Sequence, residues 1–301
     1  MRKISQKLII GAIAATLAAP MLAQADTLKK VKDSGSITVG HRDASIPFSY
    51  LDDKQAPIGY SMDLCAKIVD AVKKELKMPN LKVNYQVVTS ATRIPLLANG
   101  TVDMECGSTT NNADRQKQIS YVVTTFVTAN RYVAKKSSKI GKLDDLKGKT
   151  VTSTAGTTNI KWLTETNAAK NMGMSIITGK DHAESFLNVE TDRAVAFFMD
   201  DILLAGLVAN SKSPADFMVG SEAYSVEPYG IMVRKDDPAF KKLADDTIKG
   251  LMKSGEIEKI YNKWFMSPIP PKNINMNTPM SAQLKKVIAN PTDSPDPAVY
   301  Q

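Results

Sequence analysis

Polar side chains recur just past the carboxyl ends of predicted strands, where α/β sheets place their ligands. Arg42 follows the first strand, Ser90 and Arg93 the second, and Ser108 and Thr110 the third. Thr157 and Thr158 follow "KTVTSTAG", and Asp200 ends "RAVAFFMD". Any one of these has an ordinary capping or surface explanation, since strand ends and helix starts favour Ser, Thr and Asp. Their recurrence after nearly every strand points to a binding set. An arginine can grip a carboxylate with two parallel hydrogen bonds, and Arg93 is the candidate. Asp200 and Ser108 offer an anion and a neutral acceptor to an ammonium. Together they would hold the carboxylate and ammonium of an α-amino acid. The helix start in "GTTNIKWL" adds free amides for anion contact. Arg42 and His182 remain for the far end of the ligand, where a second fixed positive group calls for a second carboxylate, as in glutamate or aspartate.

The stretch "MECGSTTNN", Met104 to Asn112, carries more small polar residues than a turn requires. Ser108 and Thr110 are read as a ligand-facing rim, and Asn111 and Asn112 as turn-shaping residues. Glu105 braces a nearby arginine, Asp201 starts a helix, and Trp162 and Trp264 pack in the core.

The elements that position these residues alternate strand and helix through the chain, which predicts an α/β fold. "SITVGHR", "LKVNYQVVT" and "TVDMECG" read as strands, with "DASIPFSYLDDKQAPIGY" as a loop. "SMDLCAKIVDAVKKELK" is an amphipathic helix with Leu64, Cys65, Ile68, Val69 and Val72 on one stripe. Crossover helices between the strands predict a parallel sheet. The pattern repeats through "MSIITG", "HAESFLNVETD" and "DILLAGLVANS" and ends in "AFKKLADDTIKGLMKSGEIEKIYNKWF". The proline-rich "SPIPPKNINMN" ends regular structure, leaving "NPTDSPDPAVYQ" as a loose tail.

Arg2, Lys3 and Lys7, the apolar "LIIGAIAATLAAPML" and the small-x-small "AQA" form the three parts of a secretory signal peptide, cleaved after Ala25. The apolar run is shorter than the roughly 20 residues a bilayer span needs. An uncleaved anchor is the alternative. Cleavage lowers the formal charge of +8 by the three basic residues named. No basic run with interleaved aromatics indicates nucleic-acid binding. Cys65 and Cys106 are the two cysteines. An exported compartment permits a disulfide between them, but spacing leaves the pairing open. The two histidines, His41 and His182, lack zinc-site spacing, so no metal or cofactor is expected.

"GHRDASIPFSYLDD", "TSATRIPLLANGTVDMECGSTTNNADRQK", "VTSTAGTTN", "KDHAESF" and "AVAFFMDDILLAG" resemble the periplasmic glutamate/aspartate-binding proteins of amino-acid ABC importers. The resemblance runs from about Ser36 to the "PIPPKNINMN" region. "GYSMDLCAKIVDAV" resembles the wider family's helix signature, with Ser61 where an acid is usual. The resemblance implies a two-lobed periplasmic-binding-protein fold of type II. Lobe one would span 26–128 and 224–301 and lobe two 129–223, with hinge strands near "VTANRYV" and "AYSVEPYG". Arg93 resembles the family's α-carboxylate arginine, Asp200 its ammonium aspartate, Ser108 and Thr110 the strand-end pair, and Thr158 the second lobe's carboxylate contact. Arg42, Ser90 and His182 match the side-chain carboxylate pocket of the acidic-amino-acid members. The implied partners are an acidic L-amino acid and a membrane permease, the protein itself being a periplasmic monomer.

An enzyme is the rival reading, because the same fold serves periplasmic cyclohexadienyl dehydratases acting on small anionic substrates. A catalyst needs a positioned acid or base free of ligand-holding duty. The sequence shows no "GxSxG", no paired carboxylates on a clear cleft wall and no metal spacing. A third reading, presentation of the ligand to a chemoreceptor, shares the site and differs only in its docking partner.

Overall fold

Strands of the N-terminal half and one returning strand build a first sheet in the order Lys82–Val87, Ser36–His41, Met104–Glu105, Met232–Arg234, Ile119–Tyr121. The computed structural model describes residues 25–301, so the predicted leader, apart from Ala25, lies outside the described residues. The first three strands pair in parallel, as the crossover helices require. Met232–Arg234 runs antiparallel to both of its neighbours. The three strands expected to be parallel are so, and the returning strand makes the sheet as a whole mixed.

A second sheet follows the order Ser175–Gly179, Thr150–Thr154, Ala196–Asp200, Phe126–Lys135, Phe217–Val219, with Ser225–Tyr229 also paired to Phe126–Lys135. Its first three strands are parallel and Phe126–Lys135 is antiparallel to each neighbour. The chain crosses from the first sheet to the second along Phe126–Lys135 and returns along Ser225–Tyr229. These paired strands join two lobes.

Helix Tyr60–Leu76 buries the stripe read from sequence: Leu64, Cys65, Ile68, Val69 and Val72 are all inside. Asp63 in its first turn and Lys73 and Lys74 in its last complement the helix dipole. A disulfide joins Cys65 to Cys106, pinning this helix to the end of strand Met104–Glu105 with a sequence separation of 41. A loop of that size gives about 4 kcal/mol of stabilisation in the chain-entropy account.

Two expectations need correction. "DASIPFSYLDDKQAPIGY" is a three-stranded meander of Ala44–Ser45, Ser49–Leu51 and Pro57–Ile58. Its turn closes because the Asp52 carboxylate accepts from the amides of Lys54 and Ala56, both at 2.8 Å. The C-terminal tail is likewise ordered, with helix Ala282–Ala289 and a final turn Pro297–Tyr300. Val287 and Tyr300 pack with Val127 and Val226 against the two crossing strands. The amide of Thr124, just ahead of the first crossing strand, donates to the Thr292 carbonyl at 2.7 Å.

Candidate functional site

Ser90, Arg93, Ser108, Thr110, Thr158, His182 and Asp200 line one small cavity between the lobes, about 10 Å³ in volume. They come from five strand ends. Arg93 opens helix Arg93–Ala98 behind strand Lys82–Val87. Ser108 and Thr110 lie beyond Met104–Glu105, and Thr110 bridges to Tyr229. Thr158 and His182 are the first residues of helices Thr158–Ala169 and His182–Glu190. Asp200 ends its strand at the residue before helix Asp201–Asn210, without a side-chain capping bond to it.

The arginine side is braced from below. Arg93 Nη1 donates to Thr109 Oγ1 at 2.6 Å, and that hydroxyl donates to Glu105 Oε2 at 2.7 Å. Burial, then the nearby Arg115 charge, lowers the Arg93 pKa to about 9, which leaves it charged at neutral pH. Burial also lowers the Arg42 pKa, opposed by the Glu105 carboxylate. Ser61 touches the rim as well: its hydroxyl donates to the Gly107 carbonyl at 2.8 Å, next to Ser108.

His182 is fully inside, with Nδ1 2.9 Å from the Thr154 hydroxyl. Burial, then the charges of Arg42 and Arg93, holds its pKa well below the ordinary value, so the ring is neutral. One ring nitrogen of a neutral imidazole still donates. On the opposite side Asp200 Oδ1 accepts from Asn159 Nδ2 at 2.8 Å, and Oδ2 accepts from the Tyr229 hydroxyl. Burial, then the charge of Glu227, pushes the Asp200 carboxyl up to about 7. The Thr158 hydroxyl donates to Glu227 at 2.9 Å.

Ser90 Oγ, Arg93 Nε, Ser108 Oγ and His182 Nε2 are buried without a hydrogen-bond partner among the described residues, as are Arg42 Nε and Nη1. Each of these groups is able to donate. Leaving a buried polar atom unmatched costs about 1–3 kcal/mol, more for a charge. A cluster of them around one cavity suits an acceptor-rich anion, with Asp200 placed for a cation.

Arg42 departs from the expected arrangement. It is buried, and near enough to depress the His182 pKa, but it is not among the residues lining the cavity. Its backbone amide is held by the Ser49 hydroxyl at 2.8 Å, and its Cγ lies against Gly107. Thr157, Asn159, Met199 and Leu203 line the cavity beside the expected residues. Thr157 was visible as the helix-start neighbour of Thr158, and it caps that helix by accepting from the Ile160 amide. Asn159, Thr109 and Arg115 carried no signal of their own, because their importance comes from partners distant in sequence. Asp201 starts its helix as expected and also pairs with Arg131 at 3.1 Å.

Two α/β lobes joined by paired strands, with a polar cavity between them, define the architecture of two-lobed periplasmic binding proteins. A cysteine-binding protein from Campylobacter jejuni matches it with a TM-score of 0.70 at 26% identity, covering 80% of this chain and 93% of that one. Residues 37–267 match the family described as bacterial extracellular solute-binding proteins, family 3, and the chain belongs to that family. It is 58% identical to an L-glutamate/L-aspartate-binding protein of Pseudomonas aeruginosa, over 93% of this chain and 94% of that one. It is 50% identical to a glutamate/aspartate import solute-binding protein of Escherichia coli, over 90% and 93% of the two chains.

Proposed function

We propose that the protein captures L-glutamate or L-aspartate between its lobes in the periplasm and delivers it to the membrane permease of an ABC importer. The convergence of unmatched donors opposite Asp200 in one interlobe cavity carries this reading. The names of its relatives in Pseudomonas aeruginosa and Escherichia coli support a carrier over an enzyme. In this reading lobe one is 26–128 with 224–301 and lobe two is 129–223, and the leader is cleaved after Ala25 to release a monomer.

Arg93 grips the α-carboxylate, with Ser108, Thr110 and Thr158 completing its contacts. Asp200 takes the ammonium, whose charge favours the carboxylate form that burial alone disfavours. Ser90 and the neutral His182 donate to the side-chain carboxylate, and Arg42 supplies the positive field behind them. The first-lobe groups hold the amino acid in the open cleft, and Thr158, His182 and Asp200 reach it on closing. Charge-assisted hydrogen bonds of about 1.5–3 kcal/mol each, offset by ordering and desolvation, are consistent with a Kd near 1 μM or below, about −8 kcal/mol or beyond.

The test is calorimetric titration of the refolded, ligand-stripped protein with glutamate, aspartate, glutamine and arginine. Tight binding confined to the two acidic amino acids supports the assignment. Equal binding of glutamine would overturn the charge-based pocket, and no binding of any amino acid would overturn the carrier reading.

A further inference from the structure

Two glycines sit where the lobes meet backbone to backbone. In helix Asp201–Asn210, a β-carbon built on Gly206 would stand 2.7 Å from the Ile46 carbonyl oxygen and 3.3 Å from its carbon. On Gly156 it would stand 2.6 Å from the backbone nitrogen and Cα of Ala91, although the φ of +78° there calls for glycine in any case. Gly206 and Gly156 belong to elements packed on the second sheet, whereas Ile46 lies in the meander and Ala91 beside the first sheet. Both contacts adjoin the cavity: Leu203, one turn before Gly206, lines it, as do Ser90 and Thr157.

Helix geometry gives no reason for glycine at position 206. Its φ lies outside the left-handed region, and alanine is the better residue in a helix interior. Gly250, in helix Pro238–Ser254, is the contrasting case, with no atom within 4 Å of its would-be β-carbon.

We propose that Gly206 is a positioning residue for capture: its missing β-carbon lets the lobes close far enough for Thr158, His182 and Asp200 to reach a ligand held by Arg93. This rests on the reading that the lobes close over an amino acid. A methyl group at position 206 meets a rigid main chain, not the yielding end of a side chain, so it acts as a wedge. The clash exists only in the closed arrangement, so the unliganded open protein gains the helix-forming benefit of alanine without the cost.

The experiment compares wild type, Gly206→Ala and Gly250→Ala by three measurements: unliganded melting temperature, glutamate titration, and the change in radius of gyration at saturating glutamate. Gly250→Ala is expected to bind as wild type does. Gly206→Ala should melt no lower than wild type without ligand, bind at least about ten-fold more weakly as its closed state becomes rarer, and contract less. Binding within about two-fold of wild type would overturn the proposal. So would a lowered unliganded melting temperature, which would make the Gly206 contact a permanent part of the fold. Wild type that binds glutamate without contracting would instead remove the closure reading itself, and the proposal with it.

Discussion

Arg115 donates through Nη2 to the carbonyl oxygen of Gly156 at 3.2 Å, so an arginine rooted in the first lobe holds the backbone of the second. Its Nη1 donates to the Thr110 carbonyl at 2.8 Å, which ties the same guanidinium to the cavity rim. Arg115→Ala should therefore shorten the life of the closed complex. A hydrogen bond from a charged donor is worth about 1.5–3 kcal/mol, so the dissociation rate should rise roughly 10- to 100-fold. Stopped-flow displacement of bound glutamate measures this directly. An unchanged dissociation rate would mean that the bridge contributes nothing to closure.

Arg42 acts on the site as a charge behind its wall. Arg42→Ala should cost most of the preference for glutamate over glutamine while leaving glutamine affinity nearly unchanged. A charge set back from the ligand contributes less than the roughly 3–5 kcal/mol of a contacting buried pair, so the glutamate loss should be roughly 10- to 100-fold. Parallel titrations with both amino acids decide it, and an equal loss for both would make Arg42 a structural residue.

Asp200 and His182 respond to pH in opposite senses. In the closed ligand-free cleft, burial and Glu227 hold the Asp200 carboxyl at about 7, above the 3.8 of a free carboxyl. Closure therefore gains from Asp200 at low pH and loses that gain as pH rises through about 7. His182 is pushed below its ordinary 6.5 by burial, Arg42 and Arg93, so protonating the open form as pH falls through 6.5 opposes closure. The two effects offset each other in wild type over the weakly acidic range. In His182→Asn the closed ligand-free fraction should rise as pH falls below 7, and in Asp200→Asn it should fall as pH drops below 6.5. A pair of dyes, one on each lobe, reports this. The same slope in both variants would refute the assignment.

The Cys65–Cys106 disulfide holds helix Tyr60–Leu76 against the strand that carries the Ser108 rim. Replacing both cysteines with serine should lower stability by about 2–4 kcal/mol and weaken glutamate binding only modestly. Denaturant unfolding with a matched titration separates the two effects. A large affinity loss at unchanged stability would show that the bridge tunes the rim directly.

Much of this was legible in the sequence because it was local. The stripe from Leu64 to Val72 shows its period within a single helix, and Thr158, His182 and Asp200 stand directly at strand or helix ends. What stayed hidden depended on distant pairings. Asn111 carries no sign that its amide donates to the Asp293 carbonyl at 2.8 Å. The tail after Pro291 looked loose because its anchors are spread thin: Tyr300, which reaches the Thr124 hydroxyl at 2.9 Å, and a few backbone contacts. Arg42 was placed by residue type, and type alone does not tell whether a guanidinium lines a wall or stands behind it.

Strand Met232–Arg234 lies between Met104–Glu105 and Ile119–Tyr121 in the first sheet. That insertion orders events in time. A chain emerging from its N-terminus presents every strand of the second sheet before the first sheet can receive its missing member. The lobe that begins the polypeptide is therefore the one completed last. Until it is complete, the edges of Met104–Glu105 and Ile119–Tyr121 that await Met232–Arg234 stand unpaired, and unpaired strand edges are templates for association. The nascent protein is most open to that association while its second lobe is already able to fold.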